Sequence, residues 1–598
     1  MALRSGLPAQ AEALSRRVLQ THPNDQDVLV LHAISLHQQK KLDEALAVYE
    51  RLTRLFPSEA VHWGNLATAL READRRDEAS KACETSLQLA PDNPDQLINR
   101  GLLHARQREF VEARDALLRA VELAPQSPDA RIYAARACAV CRDYRADQLT
   151  EHWREWLPLG EDLQVELADL KLTMGDANAA LWLLEDLRAR STSSIGATLL
   201  LAAVYERVNR ADDARTMLQE IARTPADLDD AQRRDFDHLR AAITSREGAH
   251  DRARSLLEQA GPRHPFDYAH YFALAEACDK RGDVAATLEA LAEAHSLQEQ
   301  EVRQAVPARF AADAPILPAA VARISAADYL TWPFLPAPDQ ANSPVFIVGF
   351  PRSGTTLLEQ MLDAHPALQS MDERPFFNLL ADQLDDHGIE VPADLGKLDQ
   401  HACDELRKGY LIMACSKIQR RWDARLVDKN PLNMLWLPMI HRLFPQAQFI
   451  LALRHPCDVL ISNYMQNYRA SVLVAASTSI ERLARAYVAA MTCWLHHVEV
   501  FKPNVLVSRY EDLVADPAAQ TRRLADFLGL KDATPLLNFD QHARDKGYIA
   551  TPSYTQVIQP VNRKGLNRWR RYRQALAPAL PVLAPMLEHW GYSVDTPE

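Results

Sequence analysis

The chain has 598 residues, too many for one core and enough for two or more domains. It is 47% apolar and 25% charged, as in ordinary soluble globular proteins, and its net charge of -12 argues against general nucleic-acid binding. No apolar run approaches the roughly 20 residues of a membrane span. The opening "MALRSGLPAQAEALSRRVLQ" reads as an amphipathic helix without the apolar core of a signal peptide. Eight cysteines are scattered along the chain. The one close pair, Cys138 and Cys141, could form a redox or metal half-site, but with no second pair or histidine cluster nearby it reads as two small helix residues. A reducing, cytoplasmic setting is the expectation.

The first half repeats itself. Pro23, Pro57, Pro91 and Pro125 follow one another at a step of 34 residues, as do Ala45, Ala79 and Ala113, and Ala33, Ala67 and Gly101. One unit, "DVLVLHAISLHQQKKLDEALAVYERLTRLFPS", reads as two helices joined near Lys41 and Leu42 and closed by a proline that cannot continue the second. Ala33 and Ala45, one on each helix, mark where the two approach, since a larger side chain would force them apart. The period and these positions resemble tetratricopeptide repeats. The alanine pair returns at Ala168 and Ala180, Ala202 and Ala214, Ala241 and Ala253, and Ala273 and Ala285. An α-solenoid is therefore expected over residues 5–300. Such stacks form concave surfaces that bind peptides or proteins, and scaffolding or assembly is the alternative.

Residues 301–343 are expected to be a helical and proline-rich linker. "TWPFLPAPDQANSP" carries prolines at 333, 336, 338 and 344 and reads as a stiff extended connector. From 344 to 598 the pattern changes to α/β. "VFIVGF" is a continuous apolar run, as in a strand buried on both faces. "TTLLEQMLDAHP" follows as a helix with Leu357, Leu358, Met361 and Leu362 on one face. "RLVDK", "FILALR" and "NVLVSRY" read as further strands, with helices between them, which predicts a parallel sheet covered on both faces. Ligands of such sheets sit at the carboxyl ends of the strands, where Arg352, Lys429, Arg454 and Tyr510 all fall.

The segment "VFIVGFPRSGTT" has the glycine spacing of a phosphate-binding loop, G-x-x-x-x-G-K-[ST], but Thr355 stands at the lysine position and Arg352 supplies a charge inside the loop. A Mg²⁺-nucleotide enzyme also needs a carboxylate ending a second apolar strand. Here "FILAL" ends in Arg454. The pattern points away from a nucleotide kinase, requires no metal, and favours an anion bound directly by protein charges and a helix N-terminus.

These residues resemble the sulfotransferases that use 3′-phosphoadenosine-5′-phosphosulfate (PAPS). "FPRSGTTLLEQMLDAHP" is similar to their 5′-phosphosulfate loop, and "LALRHPCDVLISNYMQNY" to their 3′-phosphate site. Within the family, "MDERP", "DKNP", "SYTQVIQPVN", "LNRW" and "APMLEHWGY" resemble the tyrosylprotein branch, over about residues 344–593. The resemblance implies a PAPS-dependent sulfotransferase, protein-tyrosine sulfotransferase-like, with PAPS as co-substrate. It implies Glu373 as the base, Arg352 and Lys429 as stabilisers of sulfate and leaving oxygen, and Ser553 as a further transition-state contact. Arg352, Ser353, Gly354, Thr355 and Thr356 would hold the phosphosulfate, Arg454 and Ser462 the 3′-phosphate, and Tyr510 and Arg568 other parts of the nucleotide.

The residues alone leave other readings. Glu373 could be a surface glutamate flanked by Asp372 and Arg374, and Lys429 could pair with Asp428. Pro375, Phe376 and Phe377 stand where the tyrosylprotein enzymes carry acceptor-reading arginines, and Gln466 replaces an expected arginine. The expected acceptor is a tyrosine in a protein or peptide recruited by the repeats. A carbohydrate, lipid or small phenol acceptor, and a non-catalytic repeat adaptor, are the alternatives, and assembly as a homodimer stays open.

Overall fold

The computed structural model describes residues 3, 6–143, 145–190, 194–223, 228–371, 373–546 and 561–594. The chain folds as two compact units, 1–174 with 302–307 and 175–301 with 308–598. The helical array thus divides within itself, between Met174 and Gly175.

In the first unit the antiparallel pairs Gln26–Gln38 with Leu42–Leu55, Ala60–Glu72 with Arg76–Leu89, and Pro94–Arg106 with Phe110–Leu123 follow in register. Ala33, Ala45, Ala67, Ala79 and Ala113 are all buried at the helix approaches. At Gly101 even a methyl group would fall 2.4 Å from Leu117 Cγ, which is why glycine takes the small-residue position there. The turn inside each pair needs one residue with left-handed backbone. Lys40, Asp74, Arg108 and Arg142 fill it at the same 34-residue step, and Gly175, Asn209, Gly248 and Gly282 fill it in the second unit.

Those turns fix the register of the degraded repeats. Ala168, Ala180, Ala202, Ala214, Ala241 and Ala253 are buried as expected. Ala273 and Ala285 are not the last pair: both are exposed. Counted from Gly282, the small-residue positions are Ala275, 2% exposed, and Thr287, 0% exposed. Thr287 fits because its hydroxyl donates to the Asp283 carbonyl one turn back, at 2.7 Å.

The rest of the second unit is built on a five-stranded parallel sheet of order β2-β3-β1-β4-β5: β1 Val345–Val348, β2 Leu368–Ser370, β3 Arg425–Lys429, β4 Gln448–Leu453 and β5 Asn504–Arg509. The period-2 alternation of β1 divides the cores. Val345 and Ile347 pack with Leu358, Met361 and Leu362 of the helix Thr355–Asp363. Phe346 and Val348 face the opposite layer, which holds the long helix Ile480–Phe501 through Tyr487 and Trp494.

The proline-rich stretch has no regular secondary structure over 333–340 and is fastened along its length. Leu317, Ala320 and Ile324 before it are buried in the sheet-face core. Tyr329 hydrogen-bonds His441 (2.9 Å), Arg442 donates to the Pro333 carbonyl (2.9 Å), and Gln400 donates to that of Pro336 (3.1 Å).

Candidate active site

Each of the five strands delivers one candidate residue at its carboxyl end. Arg352 follows β1, Glu373 follows β2, Lys429 ends β3, Arg454 follows β4 and Tyr510 follows β5. The short edge strand β2 goes beyond the sequence expectation; it brings Glu373 back to the site after the helix Thr355–Asp363.

The loop after β1 is shaped by close approach. A Cβ on Gly349 (φ +151°) would lie 2.5 Å from the Ala452 carbonyl oxygen, and one on Gly354 (φ +101°) 2.9 Å from Tyr510 Cδ2. Only glycine meets both conditions. Arg352 itself has φ +70°, unusual for a residue with a side chain. The Asn463 amide holds this strained segment by donating to the Pro351 carbonyl at 2.8 Å. Arg352 Nε donates to Ser462 Oγ at 3.0 Å, which joins the expected phosphosulfate and 3′-phosphate residues directly.

Burial lowers the pKa of Arg352, and the nearby charges of Arg454 and Arg568 push it the same way, against Tyr468 and Glu373. Three guanidinium groups in one another's field form a site that an anion would stabilise. Arg454 lies over the Tyr510 ring, 5.0 Å from its centroid, and donates to the carbonyls of Arg352 (3.2 Å) and Gly565. Ser353 Oγ and Arg454 Nε are both buried with no hydrogen-bond partner among the described residues. Thr355 and Thr356 open the helix that begins there, also buried. Unpaired donors, a helix N-terminus and clustered arginines together fit a phosphosulfate.

Lys429 is fully buried, and its ammonium donates to Glu373 Oε2 at 2.8 Å; Glu359 Oε2 lies 3.3 Å away. Its partner is therefore not Asp428, which accepts instead from Tyr410 (3.0 Å) and Asn433 (3.0 Å). Burial pushes the Asp428 carboxyl up to about 7, aided by the charge of Glu359. The Glu373 side chain is 45% exposed. Phe376 and Phe377 belong to the sheet-face core. Both are buried, with the Phe377 ring 5.7 Å from Phe346.

Arg568 donates to Asp279 Oδ2 (2.5 Å) and lies against Met465 Sδ. The segment around it is pinned by Asp458, which accepts from the backbone N–H of Asn567 and Trp569, both at 2.9 Å. Ser553 lies outside the described residues. Glu359, Asp458 and Asp279 are site residues that the sequence reading does not name. Asp458 carries a usable signal, since it falls four residues after Arg454, in the first turn of the helix Pro456–Tyr464; Asp279 sits in a degraded repeat helix with no motif.

The sequence matches the model of the sulfotransferase family over residues 344–534 and two tetratricopeptide repeat models over 2–70 and 65–128. The chain therefore carries a sulfotransferase domain together with a tetratricopeptide solenoid. It is similar to an uncharacterized protein of Aquifex aeolicus, 29% identical over 254 residues that cover 41% of this chain and 32% of that one, so it spans about a third of that relative's length. It is also similar to protein-tyrosine sulfotransferase 1 of Danio rerio, 27% identical over 294 residues, covering 46% of this chain and 79% of the other. The solved sulfotransferase domain of the Synechococcus PCC 7002 olefin synthase aligns at 23% identity and a TM-score of 0.29, over 44% of this chain and 99% of that one.

Proposed function

We propose that the protein transfers a sulfuryl group from PAPS to a hydroxyl, most specifically to a tyrosine of a protein or peptide brought by the repeats. The observation that carries the reading is the contact of Lys429 with Glu373 at the carboxyl ends of β3 and β2, beside the arginine-lined loop after β1. PAPS would supply the sulfuryl group, on a phosphosulfate anhydride. Glu373, half-exposed, would take the proton of the acceptor hydroxyl as that oxygen attacks sulfur. Lys429 would meet the charge that builds on the departing phosphate oxygen, as a cation already held at the site. The Arg352 guanidinium offers a planar fork to sulfate and phosphate oxygens. Arg454 and Ser462 would hold the 3′-phosphate, the group that separates PAPS from ATP. The similarity to protein-tyrosine sulfotransferases supports the acceptor class, and the solenoid supports a peptide or protein as its carrier.

The test is ligand-induced thermal stabilisation. PAPS, or 3′,5′-adenosine bisphosphate, raises Tm without Mg²⁺, whereas ATP with Mg²⁺ does not. In Arg454→Ala this discrimination disappears. Equal stabilisation of the wild-type protein by both nucleotides overturns the reading. An acceptor screen with radiolabelled PAPS over peptides, glycans and phenols then assigns the hydroxyl.

A further inference from the structure

The last repeat hairpin consists of the helices Tyr268–Lys280 and Val284–Ala305, the second of which belongs to the second unit as far as Glu301. Asp279, near the end of the first helix, has a side chain only 5% exposed. A carboxylate so enclosed needs several donors. Its donors come from far along the chain, outside the repeats. Arg568 Nη2 donates at 2.5 Å, Arg571 Nη2 at 3.0 Å and the Tyr572 hydroxyl at 2.6 Å. All three belong to the C-terminal segment that also carries Gly565 and Trp569, the partners of Arg454 and Asp458.

The second helix of the hairpin braces another strip of the site. His295 stacks on Tyr464 at 4.3 Å, and its Nε2 meets the Tyr464 carbonyl at 2.8 Å. Gln298 Nε2 donates to Asn467 Oδ1 (2.8 Å) and to the Tyr468 carbonyl (2.9 Å). The Tyr468 hydroxyl in turn bonds Asn463, the residue that holds Pro351 in the phosphate loop. Phe272, Ala275, Ala290, Leu291 and Ala294 pack Tyr464 and Met465 into one small core.

We infer that Asp279 is a positioning residue of the donor site: the terminal repeat fixes Arg568 beside Arg352 and so forms part of the wall against which the nucleotide binds. The inference rests on the PAPS reading above. One Arg568 nitrogen is committed to Asp279, which fixes the plane and direction of the guanidinium fork. Without the carboxylate, Arg568 would have to be ordered when the ligand arrives, and the field of Arg352 would drive it outward.

The experiment measures binding of 3′,5′-adenosine bisphosphate by isothermal titration to full-length wild-type, Asp279→Asn, Arg568→Ala and the double variant, with KM for PAPS and kcat. Asp279→Asn is expected to weaken binding by about tenfold, as for loss of one hydrogen bond to a charged group. The loss appears in KM for PAPS and leaves kcat at saturation within about twofold. In the Arg568→Ala background the same substitution adds no further loss. Asp279→Glu, which keeps the charge, recovers most of the affinity. If Asp279→Asn does not fold, Asp279→Glu against wild type decides, with a loss of a few-fold expected from its altered reach. Unchanged affinity in the folded Asp279 variants, or an equal loss with and without Arg568, overturns the inference and leaves the donor reading standing. Failure of the wild-type protein to bind the bisphosphate overturns the donor reading and this inference with it.

Discussion

Lys429 and Glu373 are in direct contact, ammonium to carboxylate at 2.8 Å. In the proposed reaction the proton acceptor and the cation for the leaving group are thus assembled at one point. Glu373→Gln removes the acceptor while keeping the shape. Turnover is expected to fall by about 10²–10⁴, the range for a lost general base, with the bisphosphate thermal shift retained. Near-wild-type turnover measured with labelled PAPS would remove Glu373 from the chemistry.

Glu359 makes Lys429 a structural residue as well. Both side chains are fully buried, and Ser370 Oγ donates to Glu359 Oε1 at 2.5 Å. Lys429→Ala leaves that carboxylate in the interior without its cation. Urea denaturation should show a loss of about 3–5 kcal/mol. Adding Glu359→Gln should restore part of this stability and none of the activity.

Gly354 joins strain to steric exclusion. Its φ is +101°, and a methyl group on its Cα would meet the Tyr510 ring at 2.9 Å, which leaves no room for a side chain. Gly354→Ala should cost about 1–3 kcal/mol of stability. It should also abolish the nucleotide thermal shift, since the loop donors move with the backbone. A variant that keeps the full shift would show the loop tolerates the change.

Asp428 gives the site a pH signature. Its folded pKa is raised to about 7, chiefly by burial, whereas an unfolded aspartate titrates near 4. The folded chain therefore keeps a proton that the unfolded chain releases. Stability from this group is present below about pH 4, falls as pH rises towards about 7, and then levels. Denaturation midpoints of wild type and Asp428→Asn across pH 4–8 should diverge in slope over that window. Parallel profiles would assign the proton elsewhere.

The parts legible in the sequence are those that obey a fixed spacing. The proline and alanine steps locate the early repeats, and the glycine loop with its flanking apolar strand locates Arg352 and the sheet. The last repeat misleads because alanine is abundant: Ala273 and Ala285 keep the twelve-residue spacing by coincidence, while Thr287 takes the position that alanine holds in other repeats. β2 escapes notice because three residues, "LQS", show no period. Glu359 and Asp279 are invisible for a physical reason. Each lies on a helix, and only tertiary structure shows that its carboxylate points inward to a cation from a distant part of the chain.

The turns at Lys40, Asp74, Arg108 and Arg142 hold left-handed backbone without glycine, whereas Gly175, Gly248 and Gly282 hold it at no steric cost. A side chain in that conformation costs roughly 1–2 kcal/mol. The amino-terminal hairpins therefore carry a reserve of stability that single exchanges to glycine would release, at turn positions remote in sequence from every residue of the catalytic sheet. The array can be hardened for heat or denaturant from its first turns without touching the chemistry.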